Sequence, residues 1–232
     1  MTETELRQKV VSTALAWQGT REYSAKHQEM LDIYNAQRPL PRGTRMLASW
    51  PWCAAFVSTV SLQCGLRDIM PTECGCPGMV RLYQEIGRWA EDDAYIPSPG
   101  DVIFYDWQDT GYGDNAGQPD HVGIVTACDG QTMTIIEGNC DNAVKTRSLA
   151  VNARFIRGYG VPDFASKADG AEPQPEPEKP AEESTVDPFI TKTAREVIAG
   201  KWGNGQARRD ALAAWFTKAV QDEVNRILGG SA

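Results

Sequence analysis

Long apolar runs are missing from this chain. No stretch approaches the ~20 consecutive apolar residues that a bilayer-spanning helix needs, so membrane insertion is not expected. The opening residues, Met1-Thr2-Glu3-Thr4-Glu5, lack the basic-then-apolar order of a secretory leader. A cytosolic origin is therefore expected, with release by other machinery if the substrate lies outside. Histidine is scarce: His27 and His121 are the two in 232 residues. That scarcity argues against a zinc site, as does Cys74-x-Cys76 in place of the usual Cys-x-x-Cys. A basic excess is missing too. The net charge is −8, which points away from nucleic acid.

What is present suffices for a core: 41% of residues are hydrophobic and seven are Trp. The six cysteines, at 53, 64, 74, 76, 128 and 140, are expected as reduced thiols in a cytosolic setting. One boundary is clear. Ala168 to Val186 reads ADGAEPQPEPEKPAEESTV, with prolines at 173, 175, 177 and 180, and it has too few large apolar residues to bury a core. The expected organisation is a larger module over 1–166, a Pro/Glu-rich spacer over 167–186 and a small module over 187–232. Charge follows this division. The span Asp169 to Asp187 carries seven acidic residues and one lysine, whereas seven basic and four acidic residues follow from Pro188 onward.

In the first module, Glu3 to Trp17 and Ser24 to Gln37 have helical spacing, and Pro39 and Pro41 end the second stretch. Cys53 to Cys64 forms a third helix with Cys53 at its start. Pro77 to Trp89 forms a fourth. After Ser98-Pro99-Gly100 the period shifts to that of strands, at Asp101–Tyr105, His121–Thr126, Thr132–Glu137 and Phe155–Tyr159. Helices first and short strands later predict an α+β domain with a mainly antiparallel sheet. The second module, with Asp187 as N-cap and Pro188 at the first helical position, reads as a small three-helix bundle.

Cysteine is a strong nucleophile only as thiolate, and a helix N-terminus and a nearby imidazolium both favour that form. Cys53 has the first by its position. His121, opening a strand after Gly117-Gln118-Pro119-Asp120, is the better source of the second. His27 lies on a polar helix and is expected to face solvent. An imidazole needs a third group to orient it. If strands 121–126 and 132–137 pair through their short turn, the end of the second lies near the start of the first. Glu137 or Asn139 then comes within reach of His121.

Four segments, Trp52-Cys53-Ala54-Ala55-Phe56-Val57, Pro99-Gly100-Asp101-Val102-Ile103, Asp120-His121-Val122-Gly123-Ile124-Val125 and Ile136-Glu137-Gly138-Asn139, together resemble the CHAP family of cysteine, histidine-dependent amidohydrolases/peptidases. The resemblance spans roughly residues 5–164. It implies a papain-like fold, with Cys53 as nucleophile, His121 as general base and later acid, Glu137 as the orienting residue and Asn139 as a fourth member. The substrate it implies is bacterial peptidoglycan, cut between muramic acid and L-alanine or within the stem peptide and cross-bridge. Two departures stand out. Thr20–Cys53 carries no Asp-rich calcium loop, so calcium is not supported and no cofactor or metal is expected. Asp106, Asp109 and Asp114 form a different, solvated loop. Trp52 also stands where some members place a Gln that serves the oxyanion hole.

The segment from Ala194 to Arg209, around Gly200-Lys201-Trp202-Gly203-Asn204-Gly205, with Val220–Asn225 later, resembles the CW-seven cell-wall-binding repeat of phage lysins. That resemblance implies muropeptide binding. Trp202 reads as core, and Asn204, Arg208 and Arg209 as candidate contacts. Ala214-Trp215-Phe216 departs from the usual Ala-Gly-Tyr. One repeat should bind weakly, which favours avidity through self-association of this module. The leading expectation is a phage or prophage endolysin, held in the host bacterial cytoplasm until release. A bacterial autolysin or antibacterial effector is a second enzyme reading. A non-catalytic wall-binding protein is a reading of another class, and the intact Cys53, His121 and Glu137 set speaks against it.

Overall fold

Thr2 opens the first helix, α1 (Glu3–Leu15), with a capping box. Its hydroxyl accepts from the Glu5 N–H at 3.2 Å, and the Glu5 carboxylate accepts from the Thr2 N–H at 2.7 Å. Leu6, Val10 and Ala14 form the buried face. Ser24 caps α2 (Ala25–Ala36) by accepting from the His27 N–H. Helix α3 (Cys53–Cys64) is buried from Cys53 through Ser61 and again at Cys64. A helix apolar on every side belongs inside, and α3 packs against α1, α2 and the sheet. Gly65, at φ 70, ends it in the left-handed conformation. Helix α4 (Cys76–Glu85) follows.

The computed structural model describes residues 1–110 and 115–169. The chain divides into two units, Met1–Glu172 and Pro173–Ala232, and every described residue belongs to the first. The expected three-helix bundle, with Trp202, Asn204, Arg208 and Arg209, lies outside the described residues, as does Asp114.

Among the described residues, six strands form one sheet: β1 (Trp89–Ala90), β2 (Val102–Tyr105), β3 (His121–Cys128), β4 (Thr132–Cys140), β5 (Ala143–Ala150) and β6 (Ile156–Gly160). Their order is β1-β6-β2-β3-β4-β5, and every pairing is antiparallel. Val102, Phe104, Val122, Ile124, Ile136 and Val144 pack toward the helices. Ile103, Tyr105, Val125, Met133, Ile135 and Tyr159 form a second apolar layer on the other face. The domain is α+β, with helices first and the antiparallel sheet after them.

Several expectations change. The fourth helix runs from Cys76 to Glu85 and does not reach Trp89. Gly87 turns the chain at φ 64, and Trp89 becomes a strand residue whose ring lies over Gly158, where a Cβ would come within 2.5 Å. Strand β5 was not expected, because its middle, Lys145-Thr146-Arg147-Ser148, is polar. It lies at the sheet edge, where such residues are usual. His27 does not face solvent: it is 1% exposed, with its ring 4.7 Å from that of Trp52. Asp106 is likewise buried, and its carboxylate accepts from the Gln108 N–H at 3.0 Å.

Asp101, in the Pro-Gly-Asp segment, is a structural anchor. Fully buried, it accepts from Arg7 Nη1 at 3.0 Å, Tyr95 Oη at 2.6 Å and the Ser98 N–H at 2.8 Å. These bonds tie α1 to the entry of β2, the strand that pairs with β3.

Candidate active site

No side chain caps α3, so the backbone N–H groups of its first turn are left to act on whatever negative charge lies there. Cys53 is the first residue of that turn, where the Ala54 N–H favours the charged form of its sulfur. The close approach of α3 to β4 depends on Gly138. A Cβ at 138 would lie 2.4 Å from the Phe56 Cβ and 3.1 Å from the Trp52 ring, closer than carbon atoms pack.

His121 begins β3 opposite Tyr105 on β2, and the two rings stack at 5.8 Å. Trp107 also stacks on Tyr105, at 4.8 Å. Asp120 accepts from the Trp107 N–H at 3.2 Å, which fixes the backbone entering His121. Strand pairing sets the next partner. Gly123 lies in register with Glu137, and residues 121 and 123 share a face because side chains alternate along a strand. A Cβ at 123 would lie 2.9 Å from the Glu137 Cγ and 2.6 Å from the Ile135 Cγ2. The glycine thus leaves the space through which Glu137 reaches His121, with Nε2 to Oε2 at 3.2 Å.

Glu137 is fully buried. Arg147 on β5 holds it from the other side, Nε to Oε1 at 2.9 Å and Nη2 to Oε2 at 3.1 Å. The guanidinium also lies 4.9 Å over the Trp107 ring. A second thiol completes the site. Cys76, the first residue of α4, has its sulfur 3.7 Å from that of Cys53.

These contacts set the charges. The Cys76 thiol bonded to Cys53 is the largest influence on it. Burial disfavours the Cys53 thiolate, but Cys76, His121 and the Ala54 N–H together hold its pKa well below the ordinary thiol value. The Cys76 thiol is pushed up, by its bond to Cys53 and by burial. It therefore stays protonated and donates to the Cys53 thiolate. Burial works against a charged His121, yet Cys53 and Glu137 outweigh it and raise its pKa to about 9. Burial likewise opposes ionisation of Glu137, but His121 and Arg147 bring its pKa down to about 2. At neutral pH the site is a thiolate–imidazolium pair braced by a carboxylate. With Nε2 engaged by Glu137, Nδ1 is the imidazole nitrogen left for proton exchange.

Asn139 is not part of this set. It is half-buried, in the left-handed region at φ 56, where the β4–β5 register shifts, and its side chain makes no hydrogen bond to the described residues. Trp52 offers no obvious substitute for an oxyanion-hole Gln, because its Nε1–H is engaged by Glu22 Oε2 at 3.3 Å. Among the described residues, no group of three or more His, Cys, Asp and Glu side chains is placed to hold a metal ion. None of their helices is long and apolar enough to cross a membrane.

Residues 45–139 match the CHAP domain family, a span that contains Cys53, Cys76, His121 and Glu137. The chain carries a CHAP domain. Residues 192–228 match the CW_7 repeat. Among curated proteins, the Lysozyme of Streptococcus phage Cp-7 is 55% identical over 40 residues, covering 16% of this chain and 12% of that protein. The chain thus matches about an eighth of that relative's length. No solved structure matches the chain. Arg147 lies beyond the matched CHAP span, and no local pattern marks it. Only pairing β5 to β4 and asking what neutralises a buried Glu137 would have found it. Cys76 gave no signal either, since its partner sulfur belongs to another helix.

Proposed function

We propose that the CHAP domain hydrolyses amide bonds of bacterial peptidoglycan by cysteine catalysis, in a papain-like arrangement, and that the chain is an endolysin. The observation that carries this reading is the His121–Glu137 contact of 3.2 Å beside a thiol at an uncapped helix start. The scissile bond is either the N-acetylmuramoyl-L-alanine amide or a bond of the stem peptide or cross-bridge.

The Cys53 thiolate attacks the carbonyl carbon, forming a C–S bond and a tetrahedral oxyanion. Backbone N–H groups at the start of α3 are the donors for that charge. The intermediate collapses as His121 gives its proton to the leaving amine and the C–N bond breaks. His121, now neutral, takes a proton from water. The resulting hydroxide attacks the thioester carbon, and Cys53 leaves as thiolate. Throughout, Glu137 accepts from Nε2 and stabilises the imidazolium.

The CW_7 repeat supports a wall anchor. In this reading Trp202 packs the module's interior, Asn204, Arg208 and Arg209 contact the muropeptide, and self-association raises avidity. The direct test is turbidity of a cell-wall suspension. Wild-type protein should clear it. Cys53→Ala, folded by circular dichroism, should lose at least ~10³-fold of that rate, since the covalent route is gone. Undiminished lysis by the variant would refute the reading.

A further inference from the structure

All six cysteines are free, and four of them face partners other than sulfur. Cys64 bonds to Thr13 Oγ1 at 3.4 Å. Cys74 accepts from Arg42 at 3.6 Å and Cys140 from Arg147 at 3.4 Å. Cys128 accepts from the Gly130 N–H at 3.4 Å. Cys53 and Cys76 differ from these. Their sulfurs touch at 3.7 Å, each residue is 5% exposed, and each begins a helix. The nucleophile of the proposed reaction therefore carries a second thiol in van der Waals contact. The hydrolysis has no bond-making use for it.

We propose that Cys76 is a resolving cysteine, and that oxidation of Cys53 by a hydroperoxide is captured as a reversible Cys53–Cys76 disulfide. In the first step the Cys53 thiolate attacks one peroxide oxygen. An S–O bond forms, the O–O bond breaks, and hydroxide or alkoxide leaves. Cys53 becomes a sulfenic acid, oxidised by two electrons, and the hydroperoxide is reduced. In the second step the Cys76 sulfur attacks the Cys53 sulfur. The S–S bond forms, the S–O bond breaks, and the departing hydroxyl takes the Cys76 proton as water. A dithiol reverses the bond by exchange. Going from 3.7 Å to a disulfide length requires about 1.7 Å of approach. Both side chains stand at helix ends, which fray and can absorb such a movement. The disulfide removes the nucleophile and so halts hydrolysis. It also diverts Cys53 from sulfinic and sulfonic acid, which a dithiol does not reverse.

The effect on activity rests on Cys53 being the nucleophile, but the cross-link itself does not. The test therefore reads both. The full chain is reduced, exposed to hydrogen peroxide at neutral pH, blocked with iodoacetamide and mapped by peptide mass spectrometry. Wall lysis is measured before oxidation, after it, and after dithiothreitol. The expected result is a linked peptide pair joining Cys53 to Cys76, lighter by two hydrogens than the reduced pair. Lysis should fall at least ~10-fold and mostly return with dithiothreitol. In Cys76→Ser the linked pair should be absent, Cys53 should reach the sulfinic acid, and whatever lysis that variant has should be lost without return. Wild-type Cys53 accumulating as sulfinic acid with no Cys53–Cys76 peptide would overturn the proposal, as would a cross-link to another cysteine. The wild-type map decides this even if the variant fails to fold. Absence of lysis before oxidation would count against the hydrolase reading alone.

Discussion

Cys53 is buried, and burial alone would keep its thiol neutral. Its ionisation depends on neighbours from three other elements: Cys76 on α4, His121 on β3 and, through His121, Glu137 on β4. This arrangement fixes the pH behaviour. The ion pair exists above the lowered Cys53 pKa and below about 9, where His121 loses its proton. Alkylation of Cys53 by iodoacetamide should therefore stay fast at pH 6, where an ordinary thiol is almost wholly protonated. Wall hydrolysis should fall as pH rises past about 9. In Glu137→Gln the imidazolium loses its carboxylate, so the alkaline limb should move down toward the ordinary histidine value near 6.5. An unchanged alkaline limb in that variant would mean that Glu137 does not act on His121. Removing the Cys76 thiol as Cys76→Ala should move the acid limb of alkylation up, and Cys76→Ser, which keeps a donor, should restore it. Stability follows the same signs. The contribution of His121, whose pKa is raised, is complete below about 6.5 and lost as pH rises through about 9. That of Glu137, whose pKa is depressed, is complete above about 4.5 and lost as pH falls through about 2.

At the scale of elements, two glycines let α3, β3 and β4 come close enough to form the site. Gly138→Ala would put a Cβ 2.4 Å from Phe56. The first turn of α3 would have to withdraw, at about 1–3 kcal/mol for an overpacked core. Thermal unfolding should show that loss. The rate of wall hydrolysis should fall further than stability does, because Cys53 rides on the displaced turn. Much of this element layer was legible in the sequence. The helix beginning at Cys53 follows from its apolar spacing, and the β3–β4 hairpin follows from the turn at Asp129-Gly130. Together they already place Glu137 near His121. What was not legible is non-local. Arg147 lies on an edge strand whose polar middle looks like a loop. His27 reads as a surface residue until the Trp52 ring is seen to cover it. Cys76 has no local sign of its partner, because a contact between two helix starts leaves no periodic trace in the chain.

At the scale of the whole molecule, the chain joins a CHAP domain to a CW_7 repeat, and the two units divide at Glu172 and Pro173. If the second unit is the anchor, a chain ending at Glu172 should keep the rapid alkylation of Cys53. It should no longer sediment with purified cell walls, and its lysis of dilute suspensions should drop by at least ~10-fold through lost avidity. Co-sedimentation equal to that of the full chain would place wall binding in the CHAP domain instead. The division of labour matters because Cys53, His121, Glu137 and Arg147 all lie in the first unit, so the chemistry should survive without the second. The most direct measurement of that chemistry is mass spectrometry of purified peptidoglycan digested by the full chain and by Cys53→Ala. The wild-type digest should show new amino termini, on L-alanine for an amidase or within the peptide for an endopeptidase, with glycan strands intact and no such products from the variant. New reducing sugar ends, or the same peptide products from Cys53→Ala, would contradict cysteine-dependent amide hydrolysis.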